Sequence, residues 1–526
     1  MPVGRPLPES IDIFDTTLRD GAQFEGISLS VDDKLRIAEQ LDWLGVRYVE
    51  GGYPQANPKD EEFFRRARTE LHFETAELVA FGSTRKPLGK VDVDPTLSAL
   101  VNAGTSTACI VGKSWDYHVT EALGTTLDEG VAMVGESVEF LKAAGLRVFF
   151  DAEHFFDGYK ANPEFSLRVL EAAAIAGADC LVLCDTNGGS LPFDVERIVG
   201  EVVEYVDTAV GVHLHDDTGC GVANALAGVR GGASQVQGTI NGYGERTGNC
   251  NLTTIIPDLS LKMGVATIPE DRLERLTPVS HHIAELVNLT LDPQSPYVGQ
   301  SAFAHKAGLH TSAISRARDA YEHVTPDAIG NLTRFVVSEM AGRSTVAMRA
   351  KELGLDLSDN DVTDVLDQLK TLEHAGYHFE VADASFELLL RNATGWQQDF
   401  FTLESFRVIV EKQADGDVTT EATIKLETRG ERIIATAEGN GPVNALDQAL
   451  RTAIGQAHPA LAGIHLTDYK VRVLDTHKGT GAVTRVLLDS ADEERSWSTI
   501  GVSENIIEAS WQALSDSIVY GLLHTE

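Results

Sequence analysis

The first 270 or so residues alternate short apolar runs with longer stretches whose apolar positions recur every three or four residues. An apolar run of about four to eight residues is typical of a buried strand, and the helical spacing is typical of an amphipathic helix. The pattern predicts eight strands, at 11–14, 48–51, 78–81, 107–111, 147–150, 180–183, 208–215 and 235–239. It predicts a helix after each strand, at 31–44, 59–68, 95–103, 127–144, 163–176, 193–205, 222–229 and 253–263.

Eight uninterrupted strand–helix units predict an α/β fold of the closed (β/α)8 barrel type. An open, doubly wound sheet is the alternative, although it rarely contains so many repeats in a row. In a barrel the active site lies at the carboxyl ends of the strands. Polar side chains follow nearly every predicted strand at that end, namely Asp15, Arg19, Asp20, Glu50, Lys113, Glu153, Asp185, Thr186, His213, His215, Glu245, Arg246 and Asn249.

Two further regions follow the barrel, so we expect domains at 1–270, 271–395 and 396–526. The middle region is mostly helical, with helices predicted at 280–289, 346–353 and 362–375. The last region repeats a βββα pattern twice, with strands at 405–411, 419–428, 432–438, 467–474, 481–488 and 496–502 and helices at 442–456 and 503–523. A small α+β domain with few groups suited to catalysis is typical of a regulatory or dimerising module.

His213 and His215 are the most informative pair of residues in the chain. They follow an apolar run that predicts a buried strand, and residues two apart on a strand point to the same face. The two imidazoles therefore converge on one point, as two ligands of one metal ion must. Taken alone, the pair fits two hydrogen-bonded core histidines equally well, and Asp216 and Asp217 could orient either arrangement.

Two polar loops supply possible partners for the histidine pair. The loop after strand one carries Arg19 and Asp20, which could hold an anionic oxygen and act as a third metal ligand, or could be ordinary loop residues. The glycine-rich loop after strand eight could cradle a phosphate, but a tight turn that directs Asn249 towards the histidines is the better interpretation. Two imidazoles, a carboxylate and an amide oxygen suit an open catalytic site for Mg²⁺, Mn²⁺ or Zn²⁺.

Composition narrows the classes of partner. The formal net charge of the 526-residue chain is −36, which disfavours nucleic acid and anionic membranes as partners. No apolar run approaches the roughly 20 residues of a membrane helix, and we expect no signal peptide. The five cysteines include no C-x-x-C pair, which indicates a reducing cytoplasm rather than a disulfide framework.

Three segments carry a resemblance to a known family. FDTTLRDGAQ at 14–23, HLHDDTG at 213–219 and NGYGERTGN at 241–249 resemble the signature of the metal-dependent Claisen-condensing synthases and related lyases. The family includes 2-isopropylmalate, homocitrate and citramalate synthases and hydroxymethylglutaryl-CoA lyase. FAHKAGLHTSA at 303–313 and GNGPVNALD at 439–447 are similar to later regions of the synthases, so the resemblance covers essentially the whole chain and disfavours a lyase.

The resemblance implies a role for each candidate residue. It implies a divalent metal ion on Asp20, His213 and His215, with Asn249 nearby, that chelates a 2-oxo acid. It implies that Arg19 binds substrate and stabilises negative charge that develops during the reaction.

The resemblance also implies roles for residues further along the chain. Thr186 matches a residue that binds the carboxylate of the 2-oxo acid, and Glu153 with His310 would move a proton from acetyl-CoA. Tyr321 lies in a further matching segment and is a candidate catalytic residue. Asp151 departs from the family pattern at a substrate-binding position, and we expect it to share a strand face with Glu153 so that two carboxylates raise one pKa.

Within the family, the segments AYEHV at 320–324 and SEMAGRS at 338–344 are most similar to a class of bacterial and archaeal (R)-citramalate synthases. That class implies an acyltransferase that condenses acetyl-CoA with pyruvate for isoleucine biosynthesis, with isoleucine as effector and a cytoplasmic homodimer. The alternative is 2-isopropylmalate synthase, to be distinguished by the pocket near Phe81, Ile110 and Asp151. A carbon–carbon lyase and a barrel that serves only as a binding scaffold are the more distant alternatives.

Overall fold

The computed structural model describes residues 5–54, 56–305, 317, 321–335, 343–379, 382–414, 416–474, 481–492 and 495–525. The chain divides into two compact units, Met1–Phe303 with Glu322–Thr333 and Ala304–Tyr321 with Arg334–Glu526. Among the described residues, no helix has both the length and the apolar character needed to cross a membrane.

The first unit contains the predicted closed barrel of parallel strands. The eight strands pair in chain order, and the eighth pairs with the first through the register Phe14 to Gln237 and its neighbours. The strands are β1 Asp12–Asp15, β2 Tyr48–Gly52, β3 Glu77–Ser83, β4 Thr107–Lys113, β5 Arg147–Glu153, β6 Cys180–Asp185, β7 Ala209–Leu214 and β8 Gln235–Gly238. All eight predicted strands are therefore present, and the (β/α)8 fold is confirmed.

The helices of this unit surround the barrel, and several begin at side chains that cap them. Ser30 and Asp33 form a capping box at the first helix, and Asn57, Asp94 and Thr126 cap the next three. The helices are α1 Val31–Leu44, α2 Pro58–Glu70, α3 Pro95–Asn102, α4 Leu127–Ala143, α5 Phe155–Ala161, α6 Pro163–Ile175, α7 Pro192–Tyr205, α8 Gly221–Gly231, α9 Leu252–Pro257 and α10 Leu276–Leu286.

Two helical segments differ from the predicted pattern. The single helix expected over 253–263 is an α-helix that ends at Pro257, followed by a π-helical turn over Asp258–Met263. Proline has no backbone N–H and its ring crowds the preceding turn, so the regular hydrogen-bond ladder cannot continue through it. The short helix α5 directly after β5 is an additional element that the sequence pattern does not predict.

A cluster of aromatic and apolar side chains fills part of the barrel interior. Phe14, Tyr48 and Phe149 pack with ring centroids 5.0–6.0 Å apart. Val79, Val182 and three cysteines surround them. A larger apolar cluster fills the layer between the barrel and its helices.

Among its described residues, the second unit contains three helices, a pair of two-residue strands and two three-stranded antiparallel sheets, each of which is followed by a helix. The helices are α11 Arg343–Glu352, α12 Asp359–Ala375, α13 Asp383–Ala393, α14 Pro442–Ile454 and α15 Ile506–Thr525. The strands are β9 Ala304–His305, β10 Arg334–Phe335, β11 Thr402–Lys412, β12 Val418–Thr428, β13 Glu431–Gly439, β14 His465–Val473, β15 Thr484–Ala491 and β16 Ser496–Ser503. The two βββα repeats are confirmed, and α13 is an element that the sequence pattern misses.

Candidate active site

Asp20, His213 and His215 converge at the carboxyl ends of β1 and β7. Asp20 Oδ2 lies 3.1 Å from His213 Nε2 and 3.8 Å from His215 Nε2, and the two Nε2 atoms are 3.3 Å apart. All three side chains are buried, and their ligand atoms lie within 4.8 Å of one another. The strand alternation that the sequence indicates therefore brings both imidazoles to one point, with a carboxylate opposite them.

The protonation states of Asp20 and His215 suit a cation. Burial and the neighbouring His213 lower the pKa of His215 to about 4, so this imidazole is neutral at pH 7 and keeps a lone pair for a ligand. Burial opposes ionisation of Asp20, but Arg19 and the imidazoles outweigh it and lower the pKa of the carboxyl group. Asp20 is therefore a carboxylate at neutral pH.

Asn249 is held in place by the glycine-rich loop. Its Nδ2 donates to the carbonyl oxygen of Tyr243 at 3.1 Å, and a Cβ atom on Gly244 would overlap that same Nδ2. Within the described part of the chain, no group hydrogen-bonds the buried Asn249 Oδ1. A buried amide oxygen without a partner is costly unless something binds it. The carboxylate of Asp20 and the two imidazole nitrogens form a donor set that fits a divalent metal ion.

Arg19 bridges two carboxylates beside this cluster. Its Nε donates to Glu50 Oε2 at 2.6 Å, its Nη1 lies 3.3 Å from Asp20 Oδ2, and its guanidinium lies 4.0 Å from the centre of the Phe81 ring. Burial raises the pKa of Glu50 to about 7, although Arg19 opposes that shift. Glu50 therefore pairs with Arg19.

Lys113 instead forms an ion pair with Glu153, across the carboxyl ends of β4 and β5. Both side chains are about one quarter exposed, so the Glu153 carboxylate can reach a substrate in the mouth of the barrel. Thr186 follows β6, and its Oγ1 accepts a hydrogen bond from the backbone N–H of His154 at 3.0 Å. The Thr186 hydroxyl therefore keeps its own proton to donate to an anion.

Asp151 is buried inside the barrel. It is 3% exposed, and its Oδ1 accepts a hydrogen bond from Gln237 Nε2 at 3.1 Å. Burial raises the pKa of Asp151, while His213 and Arg19 oppose the shift. The prediction that a nearby Glu153 carboxylate raises the pKa of Asp151 is wrong. Glu153 pairs with Lys113, and burial is the largest cause of the raised pKa of Asp151.

Gln237 is a neighbour of the site that the sequence analysis misses. Its Oε1 accepts a hydrogen bond from His213 Nδ1 at 2.9 Å, and the two residues are register partners on β7 and β8. Strand alternation could have identified it, since Gln235 and Gln237 are the polar positions of an otherwise apolar strand. The prediction that Ile110 lines the substrate pocket is wrong. Ile110 is buried between the barrel and its helices, and its neighbour Cys109 faces the barrel interior.

Asp15 has a structural role and is not part of the candidate active site. Its two carboxylate oxygens accept hydrogen bonds from the backbone N–H and the hydroxyl of Thr17, both at 2.8 Å. The Thr17 hydroxyl in turn accepts from the backbone N–H of Ile240, so Asp15 ties the end of β1 to the loop after β8. Burial raises the pKa of Asp15 to about 7 against these hydrogen bonds.

Two expected catalytic residues are not among the described side chains of this cluster. His310 lies outside the described residues. Tyr321 belongs to the second unit and is 46% exposed.

Comparison with known proteins gives a family for the whole chain. The HMGL-like family matches residues 10–279, the homocitrate synthase post-HMGL domain-like family matches 297–376, and the LeuA allosteric (dimerisation) domain matches 380–522. An (R)-citramalate synthase of Streptomyces coelicolor is 54% identical over 98% of this chain and 97% of its own. The chain belongs to the (R)-citramalate synthase family. A second member, from Aquifex aeolicus, is 50% identical over 99% of each chain.

The alternative within the wider group has much lower similarity. A probable 2-isopropylmalate synthase of Methanopyrus kandleri is 31% identical over 96% of this chain and 97% of its own. Membership of the (R)-citramalate synthase family therefore extends over barrel, middle region and C-terminal domain, and it agrees with the resemblance that the sequence motifs carry.

Proposed function

We propose that this protein condenses acetyl-CoA with pyruvate to form (R)-citramalate and free CoA. The observation that carries the proposal is the cluster of Asp20, His213 and His215, with Arg19 3.3 Å from Asp20, in a chain about half identical to (R)-citramalate synthases along its full length. The cluster supports binding of a 2-oxo acid through a metal ion, and the relatives support pyruvate as that acid.

The proposed metal ligands are Asp20, His213, His215 and Asn249, whose nitrogen and oxygen donors suit Mg²⁺, Mn²⁺ or Zn²⁺. A bound divalent ion supplies Lewis-acid polarisation of the keto group. The residues around the proposed metal site supply further contacts to the substrate. Arg19 stabilises the negative charge that develops on the keto oxygen, and the Thr186 hydroxyl donates to the carboxylate of pyruvate.

Glu153 is the proposed acceptor of the proton from the methyl group of acetyl-CoA. The resulting carbanion attacks the keto carbon as the carbonyl π bond breaks, and the alkoxide formed takes up a proton to give citramalyl-CoA. Water then cleaves the thioester and releases CoA. His310 and Tyr321 are proposed catalytic residues on the resemblance of their segments, and His310 is the proposed partner of Glu153 in proton transfer.

A cavity beside Arg19 has room for the co-substrate. It measures about 710 Å³ and extends from Arg19 and Phe81 to the exposed Lys59. Lys59 Nζ donates to the carbonyl oxygen of Leu29, so its charge is not neutralised by that contact. In a chain of net charge −36, a local cation of this kind would attract the negatively charged phosphate groups of acetyl-CoA.

We further propose that 1–270 is catalytic, that 271–395 completes the active site and that 396–526 is regulatory. The match of 380–522 to the LeuA allosteric (dimerisation) domain supports a homodimer with an amino-acid effector, for which isoleucine is our proposal. The five cysteines are free thiols, which supports a cytoplasmic enzyme of isoleucine biosynthesis.

A thiol-release assay tests the proposed function. Purified protein with acetyl-CoA receives pyruvate, 2-oxobutyrate or 2-oxoisovalerate, each with and without EDTA. We expect the highest kcat/KM with pyruvate and loss of activity in EDTA. A preference for 2-oxoisovalerate would contradict the citramalate assignment and support 2-isopropylmalate synthase. No thiol release with any 2-oxo acid would contradict condensation altogether.

A further inference from the structure

We propose that Gln237 and Asp151 form a positioning relay that fixes the orientation and tautomer of His213, and that Asp151 acts on the metal site rather than on the substrate. The inference rests on the proposed function, because it assigns a role to two residues that surround the proposed metal ligand. Neither residue contacts the reacting atoms in this role. Both act through the imidazole of His213.

The hydrogen bonds define a direction along the relay. His213 Nδ1 is 2.9 Å from Gln237 Oε1, and Gln237 Nε2 is 3.1 Å from Asp151 Oδ1. A carboxylate only accepts, so the amide N–H of Gln237 donates to Asp151 and its oxygen faces His213. That oxygen requires the proton of the imidazole to lie on Nδ1. A neutral His213, the form that binds a metal ion, then carries its lone pair on Nε2, which is the atom that faces Asp20 and His215.

Burial holds the relay in one arrangement. The exposed fractions of Asp151, Gln237 and His213 are 3%, 1% and 5%, so water does not compete for these hydrogen bonds. His213 and Gln237 are direct register partners on neighbouring parallel strands, which fixes their backbones relative to each other. An amide group anchored at both ends cannot rotate without breaking a buried hydrogen bond.

Charge argues against Asp151 as a contact of the substrate. A 2-oxo acid is an anion, and a carboxylate within hydrogen-bonding distance would repel it. Arg19, a cation that acts on Asp151, already bridges Glu50 and Asp20. Asp151 instead places negative charge behind a metal ligand, where such charge increases the basicity of the imidazole. Partners of this kind typically change metal affinity by about 10–100-fold.

Three variants separate the parts of the relay while keeping the volume of the barrel interior. Gln237→Met removes both hydrogen bonds, and Asp151→Asn removes the charge alone. The double variant Asp151→Asn with Gln237→Glu moves the carboxylate one position closer to His213 at constant total charge. In the double variant the new amide at position 151 donates to the new carboxylate at position 237, and that carboxylate accepts from His213 Nδ1.

The measurement is the dissociation constant of Co²⁺ for the metal-stripped full-length protein, from the absorption of the bound ion. We expect Gln237→Met to weaken binding by about 10–100-fold and Asp151→Asn by about tenfold. We expect the double variant to return to within about threefold of the original affinity. Kinetic constants for pyruvate, measured at saturating metal, accompany each titration. The melting temperature of each variant, measured without metal, shows whether the fold is retained.

The outcomes distinguish the relay from its alternatives. An unchanged Co²⁺ affinity in Gln237→Met, or a double variant that binds Co²⁺ no better than Asp151→Asn, would overturn the relay while leaving the proposed function intact. An Asp151→Asn variant that raises the KM for pyruvate without changing Co²⁺ affinity would restore Asp151 as a substrate contact and overturn the relay. Failure of the unmodified protein to bind Co²⁺ would contradict the proposed metal site itself, and with it the relay.

Discussion

Arg19 donates from Nε to Glu50 Oε2 at 2.6 Å, and Glu50 is fully buried in the barrel. The same guanidinium reaches Asp20 through Nη1, so one planar side chain links a buried carboxylate to a proposed metal ligand. A lysine carries the same charge but offers a single point of donation on a flexible stem. The geometry therefore depends on the fork of the arginine as well as on its charge.

We expect Arg19→Lys to lower kcat/KM by about 100–1000-fold, because an ammonium group cannot serve Glu50 and stabilise the reacting oxygen together. Steady-state thiol release with pyruvate measures the effect. Arg230→Lys is the matched control, since Arg230 pairs with Glu196 on the surface of the protein. Equal activity of the Arg19 and Arg230 variants would show that charge alone suffices.

Glu153 is expected to accept a proton from acetyl-CoA. Glu153→Gln keeps the size of the side chain but removes the base, so kcat should fall by about 10²–10⁴-fold while the KM for pyruvate changes little. Exchange of deuterium from solvent into the methyl group of acetyl-CoA should fall in parallel. Glu139→Gln on the exposed face of α4 is the control. Normal exchange in Glu153→Gln would assign proton removal to another group.

Gly244 and Gly145 form a matched pair for testing the loop that holds Asn249. Both have positive φ, at +149° and +86°, but an added Cβ meets Asn249 only at Gly244 and meets nothing within 4 Å at Gly145. Gly145→Ala should cost about 1–2 kcal/mol of stability from backbone strain alone. Gly244→Ala should in addition weaken metal binding by about tenfold or more. Equal metal affinity in the two variants would remove Asn249 from the ligand set.

Asp15 makes the stability of the barrel depend on pH. Its pKa rises from 3.8 to about 7 on folding because it is buried, so between these values the folded state holds a proton that the unfolded state has lost. This contribution to stability therefore decreases as pH rises through that window, by about 1.4 kcal/mol per pH unit. Asp15→Asn lacks this dependence.

Thermal melting of Asp15→Asn and the original protein at pH 5 and pH 7.5 checks this prediction. The melting temperature of the variant should improve relative to the original as pH rises. For the control Asp92→Asn at the surface, the melting temperature should differ from that of the original protein by the same amount at both pH values. A constant difference for Asp15→Asn would mean that Asp15 keeps its charge in the folded state.

The barrel can be predicted from the sequence because each strand and helix has its own local pattern, and that pattern repeats eight times. Each strand appears as a short apolar run, and cap residues such as Ser30 mark where helices begin. The metal cluster follows from the same source, since alternation places His213 and His215 on one face and closure of the barrel brings Asp20 beside them. These features require only the periodicity of regular structure.

The pairing of polar side chains could not be predicted in the same way. Lys113 is the last residue of β4, and the register of β4 with β5 places it beside Glu153, whereas Glu50 lies on β2. Gln237 carries no motif, and its role depends on two hydrogen bonds to other strands. Such choices are made by tertiary packing, which a single sequence does not reveal.

The metal content of the purified protein tests whether the proposed metal centre exists and is needed for activity. We expect the protein to bind one divalent ion per chain, removal of this ion by EDTA to abolish thiol release with pyruvate, and activity to return in proportion to the metal restored. We also expect His213→Ala to lose both the ion and more than about 1000-fold in activity, while the exposed His72→Ala loses neither. A metal-free protein with full activity, or a His213→Ala variant that still binds one ion and turns over normally, would overturn the proposed metal centre.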